Sequence, residues 1–137
     1  MLRRTLLILL SCSAWYTMPA QAQASPAAIR SAEQWLRLVD AGDFAHSWQQ
    51  AGTTFRSAVS SERWQQASSS VRSPLGQVRS RTLKSSQATT SLPGAPDGQY
   101  VVMQFEASFD NKATAIETVT TTLESDGSWR VIGYFIK

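Results

Sequence analysis

The ten residues YVVMQFEASF, Tyr100 to Phe109, carry an apolar side chain at every second position: Val101, Met103, Phe105, Ala107 and Phe109. Alternate residues of a strand point to opposite faces, so this set makes one wholly apolar face. Tyr100, Val102, Gln104, Glu106 and Ser108 fall on the other face and are mixed. A sheet with such a face must be covered by a second layer.

The covering layer lies upstream. Ser25 followed by Pro26 reads as an N-cap and first helical turn, and Ile29, Ala32, Trp35, Leu36 and Val39 recur at helical spacing until Gly42. Asp43 is placed to cap a short second helix with Phe44, Trp48 and Ala51 on one face. Ser60 or Ser61 opens a third helix carrying Trp64, Ala67 and Val71, which ends at Pro74-Leu75-Gly76. Beyond Gln77, threonine, valine and aromatic residues take over, and strands are expected at about 77–90, 99–110, 114–124 and 128–137. Asp126-Gly127 marks a tight hairpin and Asp110-Asn111-Lys112 a second turn. Helices first and strands afterwards define an α+β fold: two or three N-terminal helices packed on an antiparallel sheet of about four strands.

The chain begins MLRRTLLILLSCSAWYTMPAQAQASP. Two arginines, a short apolar run and A-x-A spacings ending at Ala22 and Ala24 have the pattern of a Sec signal peptide. Residues 1–24 are therefore expected to be removed, leaving 25–137 as one periplasmic or secreted domain. Leu6 to Leu10 falls far short of the roughly 20 apolar residues that span a bilayer, so no membrane insertion is expected after cleavage. Leu9-Leu10-Ser11-Cys12 has the form of a lipoprotein box, but the apolar run before it is short and a better small-residue site follows, which argues against anchoring through Cys12.

Export changes the chemical inventory. Loss of Arg3 and Arg4 takes Lys+Arg from 13 to 11 against 10 Asp+Glu, so a net charge of +3 becomes +1 and gives no argument for nucleic acid. Cys12 is the single cysteine and leaves with the signal, which removes disulfides, thiol nucleophiles and thiolate metal sites. His46 is the single histidine, so His-rich zinc motifs are excluded too. No G-x-S-x-G, P-loop, G-x-G-x-x-G or EF-hand spacing occurs, and neither a cofactor nor a metal is expected.

Strand register supplies the remaining candidates. A three-residue loop, Asn111 to Ala113, pairs Phe105 with Val119, Val101 with Leu123 and Ala107 with Glu117, which puts Glu117 on the apolar face. Continuing through Asp126-Gly127 sets Ile136 opposite Glu117, Tyr134 opposite Val119 and Arg130 opposite Leu123. Glu117 and Tyr134 become diagonal neighbours beneath the helices. They are read either as a pocket acid or base with a tyrosine beside it, or as a structural carboxylate bound to a helix end, a tyrosine or an arginine. His46, beside Asp43, is either a catalytic base or an ordinary residue on a helix flank.

The other face of the last strand would carry Trp129, Val131 and Phe135, with Tyr100, Val102 and Ile116 beside them. That is either a self-association or partner surface, or a face covered by another segment. Arg79 and Arg81, with Lys84 nearby, form either an anion-attracting patch or a solvated strand edge. Trp35, Trp48 and Trp64 fall one per helix and read as core anchors rather than sugar-stacking platforms.

The strings SLPGAPDGQYVVMQF, FDNKATAIETVT and DGSWRVIGYFIK, with the earlier AEQWLRLVDAGDFAHSW and VRSPLGQVRSR, closely resemble the bacterial family called domain of unknown function number 4019. The resemblance implies small exported proteins and brings no catalytic residue with it. More remotely, helices followed by a curved antiparallel sheet resemble the nuclear transport factor two-like, or cystatin-like, cone, a fold shared by isomerases, dehydratases and inactive binding domains. Three functions stay open: a non-enzymatic periplasmic binding or interaction module, an immunity-type protein that neutralises a toxin, and a small cone enzyme using Glu117 and Tyr134 on an apolar ligand.

Overall fold

The computed structural model describes residues 25–137, so the expected signal peptide, with Cys12, lies outside the described residues. Four helices come first, α1 (Pro26–Asp40), α2 (Phe44–Gln50), α3 (Thr53–Ala58) and α4 (Ser61–Arg72). A single 3-10 turn, Ser73–Leu75, leads into β1 (Val78–Thr89), β2 (Tyr100–Phe109), β3 (Lys112–Leu123) and β4 (Trp129–Ile136). The strands form one antiparallel meander in the order β1-β2-β3-β4. The α+β class is as expected from the sequence.

Three of the helix starts follow their caps. Ser25, Asp43 and Ser60 each accept a hydrogen bond from a backbone N–H of the first turn, on Ala27, His46 and Arg63. The unforeseen α3 starts at Gly52, which has no side chain to cap it, and α3 is too short to display a periodicity. Tertiary contact holds it instead: Gly52 N donates to Val131 O at 2.7 Å, and a Cβ at Gly52 would lie 2.6 Å from Ile132 Cγ2.

The apolar row of β2 is buried: Val101, Met103 and Phe105 pack with Ala28, Ala32, Trp35, Leu36 and Val39 of α1 and Trp64 of α4, while Ala107 and Phe109 form a second cluster with Ala115. Trp35, Trp48 and Trp64 serve as anchors whose indole N–H groups are all satisfied, by Ser47 O, Val59 O and Ser47 Oγ at 2.8, 2.8 and 2.9 Å. Val71, expected on the inner stripe of its helix, is 46% exposed.

Register differs from the expected one in two places, both at bulges. Phe105 pairs with Glu117, Met103 with Val119 and Val101 with Thr121, because the β2–β3 turn is tight and a bulge between Ala107 and Phe109 replaces the longer loop. Each partner moves by two residues, so every side chain keeps its face and Glu117 remains under the helices. In β4, Ile136 and Tyr134 sit opposite Glu117 and Val119 as expected, but a bulge at Ile132 sets Leu123 opposite Trp129 rather than Arg130. That single extra residue turns Trp129 and Val131 to the helix side and leaves Phe135 on the other.

The corner between helices and sheet is tightly fitted. Gly76 has φ +75, and a Cβ there would lie 2.7 Å from Cβ of Asp110. Asp110 in turn accepts from Gln77 N at 2.9 Å, and Asn111 Nδ2 donates to Pro74 O at 3.0 Å. Segment 91–99 folds over the other face of β2, where the Tyr100 hydroxyl donates to Pro96 O at 2.5 Å. No helix among the described residues is long and apolar enough to cross a membrane.

Candidate functional site

Glu117 lies at the helix–sheet interface, between Phe105 of β2 and Ile136 of β4, and is 0% exposed. A bare carboxylate there would cost on the order of several kcal/mol. Its oxygens are instead fully engaged, accepting from Arg81 Nε at 2.7 Å, Arg81 Nη2 at 3.2 Å and the Tyr134 hydroxyl at 2.5 Å. Arg81 crosses from β1 and also donates from Nη1 and Nη2 to Asp40, the last residue of α1, at 2.7 and 2.8 Å. Asp40 accepts a third bond, at 2.8 Å, from Nη2 of Arg72 at the end of α4. The Arg72 guanidinium lies 4.9 Å from the centre of the Phe109 ring.

Two carboxylates thus meet two guanidiniums, and the cluster ties α1, α4, β1, β3 and β4 together with no net charge. The electrostatics hold it in that state. Burial alone would raise the Asp40 pKa, but the hydrogen bonds and charges of Arg81 and Arg72 outweigh it and hold the carboxyl below its usual range. Burial would lower the Arg81 pKa, and Asp40 and Glu117 more than reverse that, so the guanidinium stays charged. Tyr134 is pushed well above the ordinary phenol range, first by burial and then by the charge and hydrogen bond of Glu117. It keeps its proton.

Sequence reasoning placed Glu117 and Tyr134 together and the structure brings them together. It left out Asp40 and Arg72, and it read Arg81 as part of either an anion-attracting patch or a solvated strand edge. Arg81 is only 15% exposed at its side chain, whereas Arg79 turns outward to pair with Asp110, and Lys84 lies 3.9 Å from Glu106. These three cations do not form one patch. The missed signal is the small residue in the apolar row: Ala107 stands opposite both Arg81 and Ala115, and over these two alanines a long side chain can reach Glu117.

The four residues expected on one exposed face are not together. Val131 is 1% exposed inside the core, and Tyr100 is 6% exposed beneath segment 91–99. Trp129 packs against the core from the helix side, and Phe135 alone of the four is exposed, at 53%.

Two of the surface clefts adjoin these candidates. The first, about 320 Å³, lies between α1, α2 and β4 and is lined by Gln34, His46, Gln50, Trp129 and Arg130. His46 Nδ1 is 3.4 Å from Asp43 Oδ2, while Asp43 Oδ1 caps α2 by accepting from His46 N at 3.3 Å. The second, about 250 Å³, lies between α4 and β4 and is lined by Trp64, Ser68, Val71, Arg72, Tyr134 and Phe135. Val71 and Phe135 are the exposed large hydrophobic residues among those described. Among the described residues no three His, Cys, Asp or Glu side chains converge as a metal site.

Helices laid over a four-stranded antiparallel open sheet give an α+β fold of the nuclear transport factor two-like shape. The chain belongs to the family described as protein of unknown function (DUF4019), whose profile matches residues 31–134. Among solved structures, it is similar in fold to a putative ketosteroid isomerase from Shewanella frigidimarina NCIMB 400, with 17% identity and a TM-score of 0.53 over 81% of this chain and 94% of that one. Aln2 from a Streptomyces species is a looser likeness, at 15% identity and a TM-score of 0.47 over 83% of this chain and 92% of that one. No curated protein matches.

Proposed function

We propose that this chain is an exported, non-enzymatic binding module that engages a protein partner through the cleft between α4 and β4. One observation carries the reading: the two exposed large hydrophobic residues among those described, Val71 at 46% and Phe135 at 53%, both line the same cleft. Scattered apolar residues are ordinary on a protein surface, but a pair flanking a concavity is the pattern of a contact site. A cleft of about 250 Å³ has room for one anchor side chain, the usual energetic centre of a small interface.

The acid–base alternative loses its centre because Glu117 is 0% exposed and its oxygens are occupied. The Asp43–His46 pair does not replace it. Both side chains are about half exposed, at 50% and 47%, and solvent there competes with any proton transfer.

The test is a photo-crosslinking residue at position 135 in living cells, with position 86 on β1 as the control. A discrete adduct from 135 and none from 86 supports the reading. Adducts from both positions, or from neither, contradict it.

A further inference from the structure

The cleft between α4 and β4 is lined on its strand side by three consecutive residues, Tyr134, Phe135 and Ile136. Successive side chains of a strand point to opposite faces, so a cleft that touches three in a row runs along the strand's edge rather than over one face. β4 is an outer strand of the sheet, with β3 on one side only. The ladder decides which backbone groups turn to that edge. Lys137 and Ile116 exchange both backbone hydrogen bonds, at 3.0 and 3.2 Å, so in the antiparallel alternation Phe135 turns its N–H and C=O toward β3 while Tyr134 and Ile136 turn theirs outward. Farther along the same edge the outward carbonyls are taken, Val131 O by Gly52 N at 2.7 Å and Trp129 O by Ser31 Oγ at 2.6 Å. Among the described residues no backbone group of another element reaches the N–H or C=O of Tyr134 or Ile136.

We infer that the partner enters this cleft as an extended segment that pairs with the open edge of β4 as an added strand. The inference rests on the reading of the cleft as a partner site and states how the partner's chain is held. The outward N–H and C=O groups of Tyr134 and Ile136 each gain a partner, which supplies affinity whatever the side chains are. An added strand has two faces, and an exposed hydrophobic residue waits for each: Val71 on the helix side, with Trp64 and Ala67, and Phe135 on the other face of the sheet. Charge matching selects a neutral segment. Arg72 is the one charged side chain in the lining and is already held by Asp40 at 2.8 Å, so a charged residue turned toward α4 would be desolvated without a counter-ion. Charge and proline are the usual guards of an open edge, and Tyr134, Phe135 and Ile136 carry neither. A second copy suits the cleft less well, because its own α4 lies beside its β4 and would need the room this α4 fills.

The experiment is amide hydrogen exchange of the purified protein, read by NMR, alone, with a blocked peptide of alternating valine and threonine, and with the same peptide N-methylated at every residue. In the protein alone, the Tyr134 and Ile136 amides are expected to exchange about tenfold or more faster than that of Phe135; the peptide is expected to slow both about tenfold and leave Phe135 unchanged. N-methylation removes every donor from the peptide backbone and is expected to weaken binding about tenfold, the worth of one or two hydrogen bonds. Val71→Lys, at an exposed helix position, is expected to weaken binding about fivefold with Tm unchanged, roughly the loss of one apolar contact. Equal binding of the two peptides would overturn strand pairing while leaving the cleft a binding site, and unchanged binding by Val71→Lys would overturn it by placing the segment elsewhere. Slow exchange at Tyr134 and Ile136 without peptide, growing with protein concentration, would give the edge to a second copy and overturn it as well. Binding of neither peptide also overturns the strand mode, and the crosslink from position 135 then decides by itself whether the cleft is a partner site.

Discussion

Replacing Glu117 by glutamine tests whether the buried cluster is a structural device. The side chain keeps its shape, and the Tyr134 hydroxyl can reverse to accept from the new amide, so the change is chiefly one of charge. The native cluster counts two guanidiniums, Arg72 and Arg81, against two carboxylates, Asp40 and Glu117. Glu117→Gln leaves it at +1, Arg81→Met leaves it at −1, and the double variant returns it to zero with Asp40 still held by Arg72. Removing one partner of a buried pair costs about 3–5 kcal/mol. Asp40 continues to hold Arg81 through two bonds, at 2.7 and 2.8 Å, which moves the expected cost of Glu117→Gln toward about 2–3 kcal/mol. Urea unfolding followed by the fluorescence of the core tryptophans would show this as a midpoint lower by roughly 1–2 M. The double variant should recover about 1–2 kcal/mol relative to the sum of the single changes. Two strictly additive losses would refute the charge-count reasoning. Stabilisation by Glu117→Gln alone would mark the carboxylate as a strained functional group and restore the acid–base reading.

Two other outcomes follow from the same cluster, and a third from the corner beside it. Tyr134 has a folded pKa above its unfolded value, so its contribution is complete below pH 10 and should drain away above it, by about 1.4 kcal/mol per pH unit, while Tyr134→Phe flattens that alkaline limb in unfolding curves. Asp40 has a folded pKa below its unfolded value, so its contribution is present above about pH 4 and is lost on further acidification, a limb that Asp40→Asn should weaken. Gly76→Ala should lower stability by more than about 1 kcal/mol in the same assay, because φ is +75 and the new methyl group meets Asp110 at 2.7 Å; an unchanged midpoint would show that the corner yields freely.

Much of the fold could be read from side-chain order. The caps at Ser25, Asp43 and Ser60 and the alternation through β2 are local, and local chemistry decided them. The placement of Glu117 survived an incorrect loop length because its partner slid by two, which preserves face. Bulges were not legible. Neither the irregularity before Phe109 nor the extra residue at Ile132 falls on a glycine, and beside the latter Val131 O accepts from the distant Gly52 N at 2.7 Å. That one extra residue moved Val131 and Trp129 from the expected surface into the helix side. Asp40 and Arg72 were invisible for a related reason: each ends a helix, where a charged residue is usual, and only the crossing of Arg81 over Ala107 gathers them into one cluster.

The claim that the α4–β4 cleft is the binding site can be tested by an amide chemical-shift map of the protein titrated with toluene. Shifts confined to residues 64–72 and 134–136 are predicted. Shifts centred on His46, Gln50, Trp129 and Arg130 in the other cleft, or none at saturating toluene, would contradict it.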